Sequence, residues 1–303
     1  MAGVSGVGTI AVLANPAAGR GRSGGLLPGV VERLGSTGRP VRVLAAGSGD
    51  EAEQACREAV AGGAAALVAV GGDGTVHRAL QAVGGSGVPL GVVPAGTGND
   101  FAAAAGVPED RREAVEAIVR AVVAGRDRRV DLGRVTTGAG AVRWFGAVLG
   151  AGFDAVVNER ANRMRRPRGP RRYDLAVLLE LGRLRSRHYS VVLDGVDHSF
   201  DGVLLAIGNG QRYGAGMKIC PAADLTDGLL DVVIAGRLGR GALLRLKPRL
   251  RAGTHVADPR VSVVRARAIT INTTGIVGYA DGERLGALPL TVGCEAGALR
   301  LLL

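Results

Sequence analysis

The sequence predicts two domains: an N-terminal α/β domain built on a parallel sheet, followed by a mainly antiparallel β domain. In the first 130 of the 303 residues, short apolar segments alternate with helix-like stretches. This order is typical of a parallel sheet with helices on both faces. After residue 130, short segments with β-branched residues and period-two patterning follow one another with few helices between them. The predicted domains are therefore residues 1–130 and 131–295.

The local sequence also predicts where individual elements lie. In the N-terminal domain, strands are predicted at 9–14, 41–44, 65–70 and 89–93, and helices at 50–60, 76–83 and 111–124. Asp50 is a candidate N-cap for the first of these helices, and Gly125 ends the last. In the C-terminal domain, strands are predicted at 130–135, 142–149, 190–193, 202–207, 229–235 and 268–272, with a helix at 173–187.

Charge and composition narrow the class of protein. The 38 Lys+Arg and 27 Asp+Glu residues give a net charge of +11, and all but two of the cations are arginine. The excess favours anionic partners such as phosphates, nucleic acid or acidic lipid surfaces, although codon bias also produces an arginine-rich chain. Three scattered cysteines and no apolar run of roughly 20 residues predict a cytoplasmic protein without a disulfide framework or membrane span.

Two glycine clusters follow adjacent predicted strands. The segment Gly71-Gly72-Asp73-Gly74-Thr75 stands where the third strand ends and a helix begins, and residues 94–101 (PAGTGNDF) follow the fourth strand. At this edge of a parallel sheet, backbone N–H groups and a helix N-terminus together bind phosphate. A tight turn with Asp73 as N-cap would explain the first cluster alone equally well. The second cluster adds a hydroxyl and a carboxylate, which favours phosphates with a metal.

Taken in order, the motifs resemble those of one family. Residues 15–19 (NPAAG), 71–75 (GGDGT) and 94–101 are similar to the diacylglycerol kinase catalytic domain shared with sphingosine and ceramide kinases. The second half continues the resemblance at 207–217, at 221–231 and at 280–283 (ADGE). The resemblance covers nearly the whole chain, and the soluble bacterial lipid kinases have the most similar pattern.

The resemblance implies a fold. The expected N-terminal domain is related to NAD kinase and phosphofructokinase, the C-terminal domain is β-sandwich-like, and the active site lies between them. The resemblance also implies that residues 296–303 return to the first domain.

The resemblance further implies which residues bind ATP and Mg²⁺. Asp73, Asp281 and Glu283 are the expected catalytic acids, with Glu283 as the base. The expected nucleotide contacts are Asn15, Pro16, Ala17, Ala18, Gly19, Gly71, Gly72, Asp73, Gly74, Thr75, Val76, His77, Thr97 and Asp100. Asp227, with backbone groups of Asp224 and Leu229, matches the position of the family's structural Mg²⁺.

The chain departs from the family pattern at three places. His77 stands where an Asn is usual, Ala45-Ala46 stand where the family has a Thr, and Thr226 precedes Asp227 where the family has a pair of Asp residues. These departures weaken the metal assignment more than the kinase assignment.

The predicted function is that of an ATP-dependent lipid kinase that converts diacylglycerol to phosphatidic acid in the cytoplasm, at the membrane periphery. A kinase of a soluble substrate such as NAD, or of another lipid such as a sphingoid base, is the alternative. Binding of nucleic acid is disfavoured because the nine aromatic residues are dispersed. Assembly as a homodimer stays open.

An arginine-rich segment bears on the membrane prediction. Residues 160–187 contain ten arginines around an apolar stretch at 175–181. One interpretation is an interfacial element that contacts an anionic membrane, and the other is a solvated helix and loop with biased composition.

Overall fold

The computed structural model describes residues 8–14, 22–164, 166, 170–214 and 216–303, with backbone only at 22–24, 170 and 171. The chain divides into two units, one formed by residues 1–132 and 296–303 and the other by residues 133–295.

The first unit is built on parallel strands. The strands are β1 (Ile10–Ala14), β2 (Val41–Leu44), β3 (Ala66–Gly71) and β4 (Leu90–Pro94), in the order β2-β1-β3-β4. Each neighbouring pair is parallel, and the predicted strand positions agree with these bounds to within one residue. Strands β3 and β4 are buried along their whole length, as expected for a sheet with helices on both faces.

Five helices connect these strands or follow the last of them: α1 (Arg22–Gly35), α2 (Gly49–Ala61), α3 (Asp73–Val83), α4 (Asp100–Ala104) and α5 (Arg111–Ala124). Two helix starts differ from the prediction. The N-cap of α2 is Ser48, whose side chain accepts a hydrogen bond from Glu51 N, rather than Asp50. Helix α3 begins three residues earlier than predicted, because Gly72 is its N-cap.

The second unit contains mainly antiparallel strands. They are β6 (Val142–Phe145), β7 (Val148–Gly150), β8 (Arg187–Leu193), β9 (Val196–Asp197), β10 (Phe200–Gly208), β11 (Leu230–Gly236), β12 (Val261–Ala266), β13 (Ala268–Asn272), β14 (Val277–Ala280) and β15 (Glu283–Ala287). Two longer strands, β5 (Arg128–Thr137) and β16 (Leu290–Leu301), cross the unit boundary, and Leu301 of β16 pairs in parallel with Leu90 of β4. The core of this unit is formed by inward-facing residues such as Phe145, Tyr189, Leu205 and Ile207.

Three helices, α6 (Phe153–Arg163), α7 (Pro170–Gly182) and α8 (Arg240–Ala252), complete the second unit, followed by a 3₁₀ turn at Thr254–Ala257. The helix predicted at 173–187 was placed too far along the chain, because residue 187 already begins β8. The single strand predicted at 142–149 is in fact two strands, separated at Gly146 and Ala147. Helices α1, α4, α6 and α8 and strands β9, β12, β14 and β15 were not predicted.

No helix in the described part of the chain is both long enough and apolar enough to cross a bilayer.

Candidate active site

The first glycine cluster forms the turn from β3 into α3. Thr75 lies directly over Gly71, so that a Cβ atom at residue 71 would be only 2.3 Å from Thr75 Oγ1. Any larger residue at 71 would displace the threonine from its buried position. The N–H groups of Thr75 and Val76 bond to the Gly72 carbonyl at 2.9 and 3.1 Å, and Gly74 is exposed at the surface of the turn.

The second glycine cluster packs against the first through the backbone. Gly71 of β3 is paired with Pro94 of β4, which places the loops that follow them side by side. A Cβ atom on Gly96 would lie 2.4 Å from the Cα of Gly72, so the chains approach more closely than a side chain would allow. Thr97, at the tip of this second loop, is exposed. The two predicted phosphate-binding clusters therefore lie together at one edge of the sheet.

Asp73 joins the two loops. Its Oδ1 accepts hydrogen bonds from the backbone N–H groups of Asp100, at 2.6 Å, and Phe101, at 3.4 Å. Asp73 is therefore in the first turn of α3 and caps the N-terminus of α4, which is a different role from the predicted N-cap of its own helix. The carboxylate fixes the geometry of the site, while its part in the reaction stays a prediction.

Three further residues predicted to contact the nucleotide are buried. Val76, His77 and Asp100 are 3, 3 and 6% exposed. His77 Nε2 lies 3.3 Å from Nε2 of Gln81, which also donates to the His77 carbonyl, so the imidazole packs within α3. The Val76 side chain is buried and its N–H bonds to the Gly72 carbonyl, so the nucleotide contact predicted for this residue stays a prediction. The segment Asn15–Gly19, also predicted to contact the nucleotide, lies outside the described residues.

The second pair of predicted catalytic acids belongs to a two-residue hairpin between β14 and β15. Ala280 pairs with Glu283, and the intervening Asp281 and Gly282 both have positive φ, 51° and 85°. This is the backbone of the tight hairpin turn that the Asp-Gly dipeptide favours. Glu283 is partly buried at the first position of β15.

The carboxylate of Asp281 is bound by the backbone of another loop. Its Oδ2 accepts from Gly146 N at 2.9 Å, and its Oδ1 accepts from Ala147 N at 2.9 Å and from Val148 N at 3.2 Å. These bonds join the hairpin turn to the loop between β6 and β7. Asp281 and Glu283 thus lie together, but Asp281 has an anchoring role that the sequence did not predict.

The predicted metal-binding segment faces a cation of another element, Arg265 of β12. Asp227 Oδ1 accepts from Leu229 N at 3.0 Å, and its Oδ2 lies 3.7 Å from Nη1 of Arg265. The Arg265 Nε also lies 3.3 Å from Oδ1 of Asp231, which is 2% exposed. The Asp224 carboxylate accepts two hydrogen bonds from Thr226, one from its N–H at 2.9 Å and one from its hydroxyl at 2.7 Å.

This donor set fits Mg²⁺ poorly, because the one carboxylate predicted as a ligand faces a guanidinium, whereas Mg²⁺ requires nearly ideal oxygen coordination. Within the described ranges, no three His, Cys, Asp or Glu side chains converge as a metal site would require.

Asp154, in the first turn of α6, was not predicted as a candidate. Its Oδ1 is buried without a hydrogen-bond partner in the described part of the chain, and burial raises the pKa of this carboxyl to about 6. The hydroxyl of Tyr189 is also buried without such a partner, and burial followed by the Asp154 charge raises its pKa. The sequence signal was an Asp within an apolar segment, Gly152-Phe153-Asp154-Ala155.

A charged cavity of about 490 Å³ adjoins α6, lined by Glu159, Arg160, Arg163 and Glu180 with a few apolar side chains. Glu159 Oε2 accepts from the hydroxyl of Tyr279 at 2.7 Å and from Arg284 Nε at 3.1 Å. The hydrogen bond from Tyr279 contributes most to lowering the pKa of Glu159, and the bond from Arg284 lowers it further. Because β14 and β15 supply both partners, the network supports the hairpin that carries Asp281 and Glu283.

Several arginines of the segment 160–187 already bond to other residues of the protein, so only some of them are available to another molecule. Arg160 is paired with Glu180, Arg163 lies 2.5 Å from Glu159, and Arg187 donates to the Thr274 carbonyl. Arg183 and Arg185 are exposed. Arg165 and Arg168 lie outside the described residues, as does the side chain of Arg171.

Comparison with known proteins gives two matches to family models. Residues 9–135 match the model described as "Diacylglycerol kinase catalytic domain", and residues 147–303 match "YegS C-terminal NAD kinase beta sandwich-like domain". The chain is 41% identical to the "Diacylglycerol kinase" of Mycobacterium tuberculosis over 297 residues, which cover 98% of this chain and 95% of that protein. It is 30% identical to the "Probable lipid kinase YegS-like" of Stenotrophomonas maltophilia over 269 residues, covering 83% and 82%.

The fold is also that of solved structures. A crystal structure of a "putative diacylglycerol kinase" from Bacillus anthracis superposes with a TM-score of 0.79 at 21% identity, covering 99% of this chain and 97% of that one. At this identity the similarity concerns the fold alone. Together with the β-sandwich-like family model, it confirms the predicted fold class, an α/β domain followed by a mainly antiparallel sandwich-like domain.

Proposed function

Because this chain belongs to the diacylglycerol kinase family of lipid kinases, we propose that it transfers the γ-phosphoryl group of ATP to diacylglycerol, forming phosphatidic acid. One observation carries the proposal: the two glycine clusters that follow β3 and β4 lie in backbone contact at the carboxyl edge of a parallel sheet. Ligands bind at this edge in open α/β sheets, and glycine lets phosphate oxygens reach backbone N–H groups.

The nucleotide is assigned to the loops of the first unit. Gly72 and Gly74 at the start of α3 leave its first turn open to a phosphate group, and the helix dipole favours negative charge there. Thr97 offers a hydroxyl on the adjacent loop. Asp73 holds the two loops together through the N–H groups of α4, so its contribution is to position the phosphate-binding backbone.

Glu283 is assigned as the proton acceptor. As the lipid hydroxyl oxygen forms its bond to the γ-phosphorus, the bond from that phosphorus to the bridging oxygen of ADP breaks, and the hydroxyl proton passes to the carboxylate. Asp281 fixes the hairpin from which Glu283 projects. The Mg²⁺ that accompanies ATP supplies positive charge to the β- and γ-phosphate oxygens when it is bound.

The test is a phosphoryl-transfer assay with γ-labelled ATP, Mg²⁺ and separate detergent micelles of diacylglycerol, a sphingoid base, ceramide and a monoacylglycerol. NAD is included because the C-terminal family model relates this domain to NAD kinase. We expect label in phosphatidic acid above all. Label in another lipid would correct the substrate, labelled NADP would overturn the lipid assignment, and no transfer to any acceptor would contradict the proposal.

A further inference from the structure

Helix α8 exposes a stripe of cations. The helix contains five Arg and Lys residues and no acid among its 13 residues. Arg240, Leu244, Lys247 and Arg251 follow one another at steps of four, three and four, which places them on one side of the helix. All four are exposed, and Leu244 is 52% exposed. The opposite side packs on the hydrophobic core of the second unit through Ala242, Leu243, Leu246 and Leu250.

Within the described part of the chain, no ion pair neutralises the cations of this stripe. Arg249, on the flank of α8, is paired with Asp258 at 3.6 Å. By contrast, Arg245, Lys247 and Arg251 form no ion pair with any residue that the structure describes. A cationic helix face that lacks internal partners is available to an external anion.

The end of α7 extends the same surface. Arg240 Nη2 donates to the Gly182 carbonyl at 2.5 Å, and Leu184 packs in the same hydrophobic cluster as the buried side of α8. Arg183 and Arg185, on either side of this leucine, are exposed. We use "α8 surface" for the exposed side chains Arg183, Arg185, Arg240, Leu244, Lys247 and Arg251.

We propose that the α8 surface docks the protein on a bilayer that contains anionic phospholipid. The cations would attract the lipid phosphates, and the exposed Leu244 among them would enter the interface between head groups and acyl chains. Nucleic acid is the less suitable partner, because α8 has no aromatic or amide side chain to stack on or bond to a base. The inference extends the proposed function, which requires access to a substrate in a bilayer.

The experiment measures flotation of the full-length protein, without ATP, with vesicles of phosphatidylcholine alone or of phosphatidylcholine mixed with phosphatidylglycerol. The charge variant is Lys247→Glu with Arg251→Glu, and the apolar variant is Leu244→Ser. The control variant, Arg42→Glu with Arg112→Glu, makes the same change in net charge at two exposed arginines of the first unit. Circular dichroism checks that each variant is folded.

We expect the wild type and the control variant to float with the anionic vesicles and not with the neutral ones. The charge variant should bind the anionic vesicles at least about tenfold more weakly, and the apolar variant should also bind more weakly. Equal losses in the charge and control variants, wild-type binding by the charge variant, or loss of binding to a DNA duplex but not to vesicles would overturn the proposal.

Kinase assays separate this inference from the proposed function. In neutral detergent micelles, the charge variant should phosphorylate diacylglycerol at the wild-type rate, whereas on anionic vesicles its rate should fall with its binding. Flotation without any lipid phosphorylation by the wild type would contradict the proposed function and leave the docking surface intact.

Discussion

Asp281 and Glu283 are two residues apart in one hairpin, and we assign them different roles. The carboxylate of Asp281 accepts three backbone hydrogen bonds from Gly146, Ala147 and Val148, while its own backbone adopts the left-handed conformation of the turn. Such a residue holds two loops in register. Glu283 begins the next strand and is the residue to which we assign proton transfer.

We predict that Asp281→Ala lowers the free energy of unfolding by about 2–4 kcal/mol, because it leaves backbone N–H groups unsatisfied and forces alanine into the left-handed region. Glu283→Gln should change the same quantity by less than about 0.5 kcal/mol, because the replacement is nearly isosteric and leaves the backbone conformation unchanged. Urea denaturation of the two variants beside the wild type measures this difference. Equal stability of Asp281→Ala and wild type would contradict the anchoring role.

Asp154 should make stability depend on pH. Its folded-state pKa, about 6, is above the usual value of 3.8, so the folded protein binds this proton more tightly than the unfolded chain does. The resulting stabilisation is complete below about pH 4 and is lost as the pH rises through about 6. Asp154→Asn removes this titration and should increase stability at pH 7 by an amount on the order of 2–3 kcal/mol.

Urea midpoints of the wild type and of Asp154→Asn between pH 4 and pH 7.5 test this prediction. The difference between the two proteins should grow with pH across that interval. Parallel curves would show that the carboxyl at residue 154 titrates normally.

At the scale of elements, the candidate nucleotide site depends on the contact between the loops that follow β3 and β4. Gly96 is the tightest point of that contact, because a side chain there would meet the Cα of Gly72 at 2.4 Å. Backbone cannot yield as a flexible side chain would, so an added methyl group must separate the loops.

We therefore predict that Gly96→Ala raises the KM for ATP at least about tenfold, since a shift of an ångström at a positioned site is costly. Gly35→Ala, at the end of α1, is the matched control, because a Cβ atom there meets nothing within 4 Å. Steady-state kinetics with varied ATP provide the measurement. A wild-type KM for Gly96→Ala would show that the loop contact is not needed for nucleotide binding.

The loop before β11 is stabilised by an arginine of the neighbouring strand β12. Arg265 of β12 faces both Asp227 and the buried Asp231. Burial raises the pKa of Asp231, and the charge of Arg265 opposes that shift. The guanidinium thus provides the positive charge that the family resemblance assigns to a metal ion.

We predict that Arg265→Met lowers the free energy of unfolding by about 1–3 kcal/mol, because a buried carboxylate loses its cation. The thermal midpoint of the wild type, measured without nucleotide, should be the same with EDTA as with Mg²⁺. A midpoint that falls on chelation would show that a divalent ion stabilises the fold after all.

Some elements could not be predicted because their signals are not local. Helix α8 has five cations, an internal Pro248 and no side-chain cap, so only the packing of one face on the core favours a helix there. Strands β14 and β15 are short and contain glycines, and β7 and the Asp-Gly turn fix their pairing. By contrast, α5 has a capping Asp110 and a terminal Gly125, and its bounds were predicted correctly.

At the scale of the whole molecule, the order of motifs was sufficient to predict the fold class and the family. It was not sufficient for the geometry of the site. Asp73 bonds to a residue 27 positions later, and Asp281 to one 135 positions earlier, and neither contact has a signature in the local sequence. The sequence therefore predicted candidate carboxylates, whereas the anchoring contacts of Asp73 and Asp281 are visible only in the structure.

The structure also shows where part of the net charge of +11 lies, which composition alone does not show. Part of the excess is used internally, as in the pairs of Arg160 with Glu180 and of Arg300 with Asp127. Another part is exposed along α8, where the described residues offer Lys247 and Arg251 no ion pair. Cations that reflect a biased composition can thus still form a defined surface of the protein.

The central claim is that this chain phosphorylates a lipid with Glu283 as proton acceptor. Its most direct test is the rate at which γ-labelled ATP labels diacylglycerol in micelles with the wild type, Glu283→Gln and the control Glu295→Gln, an exposed residue of β16. We predict phosphatidic acid from the wild type and the control, and a rate at least about 100-fold lower from Glu283→Gln. No labelled lipid from the wild type, or a wild-type rate from Glu283→Gln, would contradict the account.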